Sequence, residues 1–288
     1  RLEVLTLMHN SKDTIPATIE FYDIAGLVKG ASEGEGLGNQ FLSNIREVDA
    51  IVHVVRCFED ENIIHVDGSI DPVRDIETIN MELIFSDLEL LEKRKQKLVK
   101  SIKGDKGLKP ELDLCEKLIN NLEKNISIKN LDLTEEENKI LRGYNLLSHK
   151  KVIYAANVSE DDINNDDNEL VEKVKEIASK EESNVVRISA EIESQIAQLD
   201  KEDSQMFLEE MGMNESGLDK LIKSSYSLLG LISYLTAGPM ESRAWTIKKG
   251  TSAQKAAGEI HSDIERGFIR AEIINFEELK KLSGMVEA

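Results

Sequence analysis

Asp23 and Gly26 stand three residues apart at the end of a β-branched and aromatic run, TIEFYDI (18–24). They open a stretch, DIAGLVKGASEGEGLGNQFLSNI, that carries five glycines in its first sixteen positions. A DxxG pattern at a strand end suits phosphate chemistry: the carboxylate holds Mg²⁺ through water, and the glycine amide meets a γ-phosphate and draws the following segment into order. Two other phosphate-binding patterns do not fit. A dinucleotide fingerprint needs a third glycine where Asn39 follows Gly34 and Gly36, and Glu33 and Glu35 would oppose a pyrophosphate. A P-loop needs glycine followed by lysine, a pair found nowhere in the chain. The other reading of the glycines is an ordinary turn capped by Asn39.

Two later strand ends add to the pattern. Asn157, Val158 and Glu160 in NVSE close the strand VIYAANV, and Ser189 and Ala190 close VVRIS. These are the places where P-loop nucleotide hydrolases read the base. The guanine-reading motif NKxD ends on an aspartate; here Val158 replaces the lysine and Glu160 sets the carboxylate one methylene further out, which spoils the fit to guanine. Leu27 stands where many such hydrolases carry a water-orienting glutamine, so the attacking water has to be positioned from elsewhere. His65, in the loop ENIIHVDGS, is the candidate, because histidine is the side chain best suited to acid–base work near neutral pH; a loop histidine with no special role is the alternative. His53, inside an apolar strand, reads as a core histidine.

The elements that must hold these residues alternate. TIEFYDI (18–24), DAIVHVV (49–55), KVIYAANV (151–158) and SNVVRISA (183–190) read as strands, with helical NQFLSNIREV and NELVEKVKEIASKEE between pairs of them. That order implies a mostly parallel sheet covered on both faces, an α/β class. Ile84, Leu88, Leu91, Leu98 and Ile102, then Leu112, Cys115, Ile119, Leu122 and Ile126, keep a 4-3 spacing on either side of Gly104, Gly107 and Pro110. This predicts an antiparallel helical hairpin inserted into the α/β domain. From about Leu231 the order is strand AWTIKKG, helix AQKAAGEIHSDIERGF and strand IRAEIINF, a small appended α+β unit. The expected division is a nucleotide-binding domain in two parts, 1–80 and 151–230, a helical insertion, 81–150, and a terminal domain, 231–288.

Composition sets outer limits. A chain of 288 residues has room for two or more domains. Its 55 acidic and 36 basic residues give a net charge of -19, which argues against a surface that binds nucleic acid all over. Any RNA contact has to be local. Cys57 and Cys115 have no metal or redox spacing and are expected to be reduced core thiols of a cytoplasmic protein. No apolar run reaches a membrane span, and the acidic surface suggests a monomer.

FYDIAGLVKGASEGEGLGNQFLSNIREVDAIVHVVRCFED, HVDGSIDPVRDIETINMEL, ANVSE and ESRAWTIKKGTSAQKAAGEIHSDIERGFIRAEII together resemble the Obg-like ATPase family, also called YchF, essentially end to end. The resemblance implies a Ras-like nucleotide-binding domain with an inserted coiled-coil arm and a C-terminal TGS domain. It also implies hydrolysis of ATP in preference to GTP, Mg²⁺ as cofactor, association with ribosomes, and a functional histidine at His65. Bound K⁺, part of the chemistry of potassium-dependent relatives, would be a further source of positive charge. Family members begin with a strand, a P-loop and a first switch ahead of the region matching Arg1. None of these is found here and the TGS domain lacks its last strands, so the chain is expected to be truncated at both ends and inactive by itself.

The helical hairpin carries its own signal. From Lys93 to Lys109 there are eight basic residues, including Lys93, Arg94, Lys95, Lys97, Lys100 and Lys103, against one acid, Asp105. Such a run is by default a solvated face, but at the tip of an arm it suits a phosphate backbone, without aromatic stacking. Two functions of different class stay open: a nucleotide-switch ATPase, and a noncatalytic ribosome-binding or RNA-binding module acting through the arm and the TGS domain.

Overall fold

The computed structural model describes residues 1–23, 37–65 and 68–281. In chain order the elements are α1 (Leu2–His9), β1 (Asp13–Ile15), α2 (Leu37–Glu47), β2 (Ala50–Arg56), α3 (Pro72–Ser101), α4 (Lys109–Leu122), α5 (Glu135–Tyr144) and β3 (Lys151–Asn157). There follow α6 (Glu169–Lys180), β4 (Asn184–Ile188), α7 (Ala190–Ile196), α8 (Lys201–Glu210), α9 (Gly217–Leu229), β5 (Leu231–Ala237), β6 (Glu241–Lys248), α10 (Ala253–Ile260), α11 (Ser262–Arg266) and α12 (Phe276–Lys281). They form two compact units, Asp23–Ser225 and Arg1–Tyr22 with Tyr226–Ala288.

In the larger unit β2, β3 and β4 make a parallel sheet in that order, with Arg56 opposite Asn157 and Asn157 opposite Ile188. The near-continuous apolar run in β3 fits its place at the centre, where Tyr154, Ala155 and Ala156 are fully buried. Val171, Val174 and Ala178 lay one face of α6 into that core beside Val55 and Ile76. Both cysteines are free and buried, and burial pushes the thiols up, Cys57 to about 12 and Cys115 to about 11. His53, expected in the core, is only partly buried and lies at the margin of it. Its ring lies 5.6 Å from that of Tyr154, and burial lowers its pKa to about 4.

Helix α3 starts where the sequence dictates. Asp71 caps it by accepting from the amides of Val73 and Arg74, and Pro72 supplies the fixed φ of the first turn. It runs 30 residues and turns back into α4, burying Leu91, Leu98, Leu112, Cys115, Ile119 and Leu122 along the seam. The expected hairpin therefore forms, with α5 packed on it as a third helix. Pro110 sits in the first turn of α4.

The smaller unit holds a second sheet, ordered β1, β6, β5, with β1 parallel and β5 antiparallel to β6. The helix expected over 253–268 is two helices, broken at His261, whose ring caps α11 through the Asp263 amide.

Two expected strands are not formed. Residues 18–23 of TIEFYDI carry no strand, and Ile24 lies outside the described residues. Most of IRAEIINF is without regular structure before α12, with Ile269 and Ile273 about nine-tenths exposed. Both runs have the composition of strands but no ladder partner among the described residues, and a strand exists only as part of a ladder.

Candidate functional site

The two strand ends marked in the sequence are brought together. Val158 N donates to Ile188 O at 2.9 Å, extending the β3–β4 contact one residue past the sheet, and Ala190 N donates to Asn157 Oδ1 at 2.9 Å. Asn157 O in turn accepts from Cys57 N at 2.7 Å, so one asparagine ties together the ends of all three strands. Val158 is not at the surface: its side chain is buried in the core beneath the site. Glu160 accepts from Gln195 Nε2 at 3.4 Å, and Ser159 Oγ donates to Asp162 Oδ2 at 2.8 Å, which closes the turn after NVSE.

Ser189 is 1% exposed, and its hydroxyl has no hydrogen-bond partner among the described residues. A buried hydroxyl without a partner costs free energy. It lies beside the Asn157–Ala190 contact, enclosed by the protein. The site is braced from behind by Glu193 of α7, which accepts from the amides of Gly217 and Leu218 at 2.6 and 3.1 Å and so caps α9. Only glycine permits this approach: a Cβ on residue 217 would lie 2.8 Å from both Glu193 Oε1 and Ile188 Cγ2.

The phosphate end is less fully described. Asp23 is exposed, and no hydrogen bond or ion pair joins it to Asn157 or Glu160. Gly26 and Leu27 lie outside the described residues. Among the described residues no cluster of three or more His, Cys, Asp or Glu side chains is arranged to hold a metal. A single carboxylate such as Asp23 suits Mg²⁺ carried in on phosphate oxygens, because that ion needs few protein ligands.

His65 is not an isolated loop histidine. Its Nε2 lies 3.0 Å from Asp75 Oδ2, in the first turn of α3. Asp75 has no counterpart in the sequence reading; an acid in the first turn behind an Asp-Pro cap was the only signal available.

The base of the arm holds a second contact that the sequence did not announce. Asp87, in α3, is fully buried and accepts from Arg46 Nη1 at 3.0 Å, Leu147 N at 3.0 Å, and Ser148 N and Oγ at 2.8 Å each. Arg46, at the end of α2, also donates to Ser86 Oγ and to Asn145 O. Lys150 Nζ donates to Arg46 O and Val48 O, closing the last turn of α2 as a cation at a helix C-terminus should.

Towards the tip, the basic run is partly neutralised. Lys93 pairs with Glu89, Arg94 with Glu111 while lying over the Tyr144 ring, Lys95 with Glu116 at 4.0 Å, and Lys109 with Asp113. Lys97, Lys100, Lys103 and Lys106 are exposed and have no acidic partner among the described residues.

Comparison with known proteins bears on the fold. A family model described as "50S ribosome-binding GTPase" matches residues 4–89, and a YchF C-terminal model, described as "Protein of unknown function (DUF933)", matches residues 231–288. The chain is 53% identical over 290 residues to a ribosome-binding ATPase YchF of Bacillus subtilis, covering 100% of this chain and 79% of that protein. To the protein of the same name from Escherichia coli O157:H7 it is 49% identical over 285 residues, covering 99% and 78%. The solved structure of the Schizosaccharomyces pombe YchF GTPase superposes with a TM-score of 0.84 at 36% identity, covering 99% of this chain and 78% of that one. The fold is thus a P-loop GTPase domain with a YchF C-terminal domain. No helix among the described residues is long and apolar enough to cross a membrane.

Proposed function

Because the chain belongs to the YchF family, we propose that the intact protein is a ribosome-associated nucleotide switch that binds and hydrolyses ATP in preference to GTP. The observation that carries this reading is the Ala190 N to Asn157 Oδ1 bond at 2.9 Å. It joins Asn157 and Ala190, two residues this reading assigns to the base end, and engages the Ala190 amide within the protein. Glu160, with its longer side chain and its contact to Gln195, is a poor match for the two donors on the guanine edge.

In this proposal Asn157, Val158, Glu160, Ser189 and Ala190 form the base end, while Gly26 senses the γ-phosphate and Asp23 holds Mg²⁺. Bound K⁺ would add charge at the phosphates. His65 orients the attacking water that Leu27 cannot. The four-part division, with arm 81–150 and TGS domain 231–288, and a cytoplasmic monomeric state belong to the same proposal. The two free buried cysteines support a reducing compartment.

The arm supplies the ribosomal contact through Lys97, Lys100 and Lys103. Those unpaired lysines equally favour the second reading, a noncatalytic RNA-binding module. Replacing all three by glutamate should weaken pelleting with ribosomes at low salt by about tenfold or more, with a shallower salt dependence. Unchanged pelleting would exclude the arm as the contact. Pelleting of the unsubstituted protein that responds to ATP separates the switch from the noncatalytic module, which has no reason to respond.

A further inference from the structure

We propose that the loop 58–64 docks into an apolar pocket on a basic protein surface, with Ile63 and Ile64 as its anchors; the inference rests on the reading of the protein as ribosome-associated and places that surface on the ribosome. Ile64 is 93% exposed and its neighbour Ile63 49%. Apolar residues scattered singly over a surface are ordinary, but two in succession, one of them almost wholly in water, make a patch that a partner can cover.

The loop is held in shape. Arg56, the last residue of β2, spends its guanidinium on three carbonyls: Nε donates to Phe58 O at 3.1 Å, Nη2 to Asp60 O at 3.2 Å and Nη1 to Ile63 O at 2.9 Å. Its Cζ lies 4.8 Å from the centre of the Phe58 ring. Asp60 Oδ1 accepts from the amide of Asn62 at 2.8 Å and from its Nδ2 at 3.1 Å, and Ile63 N donates to Asp60 O at 3.3 Å, closing a turn just ahead of Ile64. Burial of a core does not call for this clamp, since residues 59–64 are all exposed. Anchors displayed on a backbone that is already fixed lose little freedom on binding, which favours their use in an interface.

Charge selects the partner. Glu59, Asp60 and Glu61 are exposed beside the isoleucines and form no ion pair among the described residues. Three carboxylates repel the phosphates of RNA and attract lysine and arginine, so the complementary surface is a protein one, apolar at its centre and basic at its rim. The loop and the arm thus divide the contact by chemistry: the lysines at the arm tip suit phosphate, and the acidic, isoleucine-tipped loop suits protein.

The test uses the full chain with a photoreactive amino acid in place of Ile64, bound to ribosomes and irradiated. The expected crosslink is to a ribosomal protein; crosslinks to RNA alone, or none while the chain pellets with ribosomes, overturn the inference. In parallel, Ile63→Ser combined with Ile64→Ser should weaken pelleting by about tenfold or more, the cost of removing interface anchors, and should keep the salt dependence of the wild type because no phosphate contact is lost. Both side chains are exposed, so the double variant should keep the wild-type melting temperature, and its loss reads binding rather than folding. Arg56→Gln keeps the isoleucines but frees the loop, and should weaken pelleting by about threefold or more. Wild-type pelleting of the double variant overturns the inference, and wild-type pelleting of Arg56→Gln overturns the clamp's part in it. If the unsubstituted chain does not pellet with ribosomes at all, the ribosomal reading is what fails, and the inference falls with it.

Discussion

Asp87→Ala should destabilise the larger unit by about 3–5 kcal/mol, the cost of removing one partner from a buried, hydrogen-bonded ion pair. Four donors converge on this fully buried carboxylate: a guanidinium nitrogen of Arg46, the amides of Leu147 and Ser148, and the Ser148 hydroxyl. Alanine leaves the Leu147 amide buried without an acceptor and the Arg46 guanidinium without its counter-charge. Because Arg46 ends α2 and residues 147 and 148 lead into β3, the loss loosens the joint where the helix after the glycine stretch meets the arm and the sheet. Arg46→Ala should cost less, since Asp87 keeps three donors and the arginine is already one-fifth exposed. Hydrogen exchange resolves the site: protection of the β2 and β3 amides should fall by about 100-fold or more in Asp87→Ala. A fall of less than tenfold would mean that the contact is incidental to the joint.

His65→Ala should lower the rate of ATP hydrolysis by about 10²–10⁴-fold, the contribution typical of a positioned acid–base group, while ATP affinity changes by less than about threefold. A leucine behind DIAG cannot hold a water, so the account leaves the water to a residue from another loop. His65 is tied to the first turn of α3, so its loss should leave base binding intact. The measurement is single-turnover hydrolysis beside equilibrium ATP binding. Equal loss of both would point to a collapsed site, and loss of neither would leave His65 as no more than a partner of Asp75.

The parts of the fold that were legible in the sequence are those decided locally. β3 shows itself as an apolar run because a central parallel strand covered on both faces has no polar side to display, while β2 and β4 read as strands from their β-branched composition although Val54 of β2 is 61% exposed. The start of α3 is written in Asp71-Pro72, and the arm seam in its 4-3 spacing. TIEFYDI and IRAEIINF have equally strand-like composition, yet whether such a run becomes a strand depends on a neighbour that composition does not contain. β5 went unread although LISYLTA is strand-like; its partner β6 follows within four residues.

Of the candidate site, the residues proposed for the base end stand out in the sequence because they sit directly at strand ends. The contacts that fix them do not. Arg46 and Asp87 are 41 positions apart, and Glu193 and Gly217 are 24 apart, so only tertiary packing pairs them. The basic run was overcounted for the same reason. Glu111 and Glu116 lie on the returning helix, and a linear reading does not see that they neutralise part of the charge.

The central claim, an ATP-selective site built on NVSE and Ser189-Ala190, is tested most directly by calorimetric titration of the intact protein with ATP and with GTP in the presence of Mg²⁺. The account predicts saturable binding of ATP with a Kd at least about tenfold below that of GTP, a difference of about 1.4 kcal/mol. Equal affinity, tighter binding of GTP, or no heat with either nucleotide at high protein concentration would contradict it.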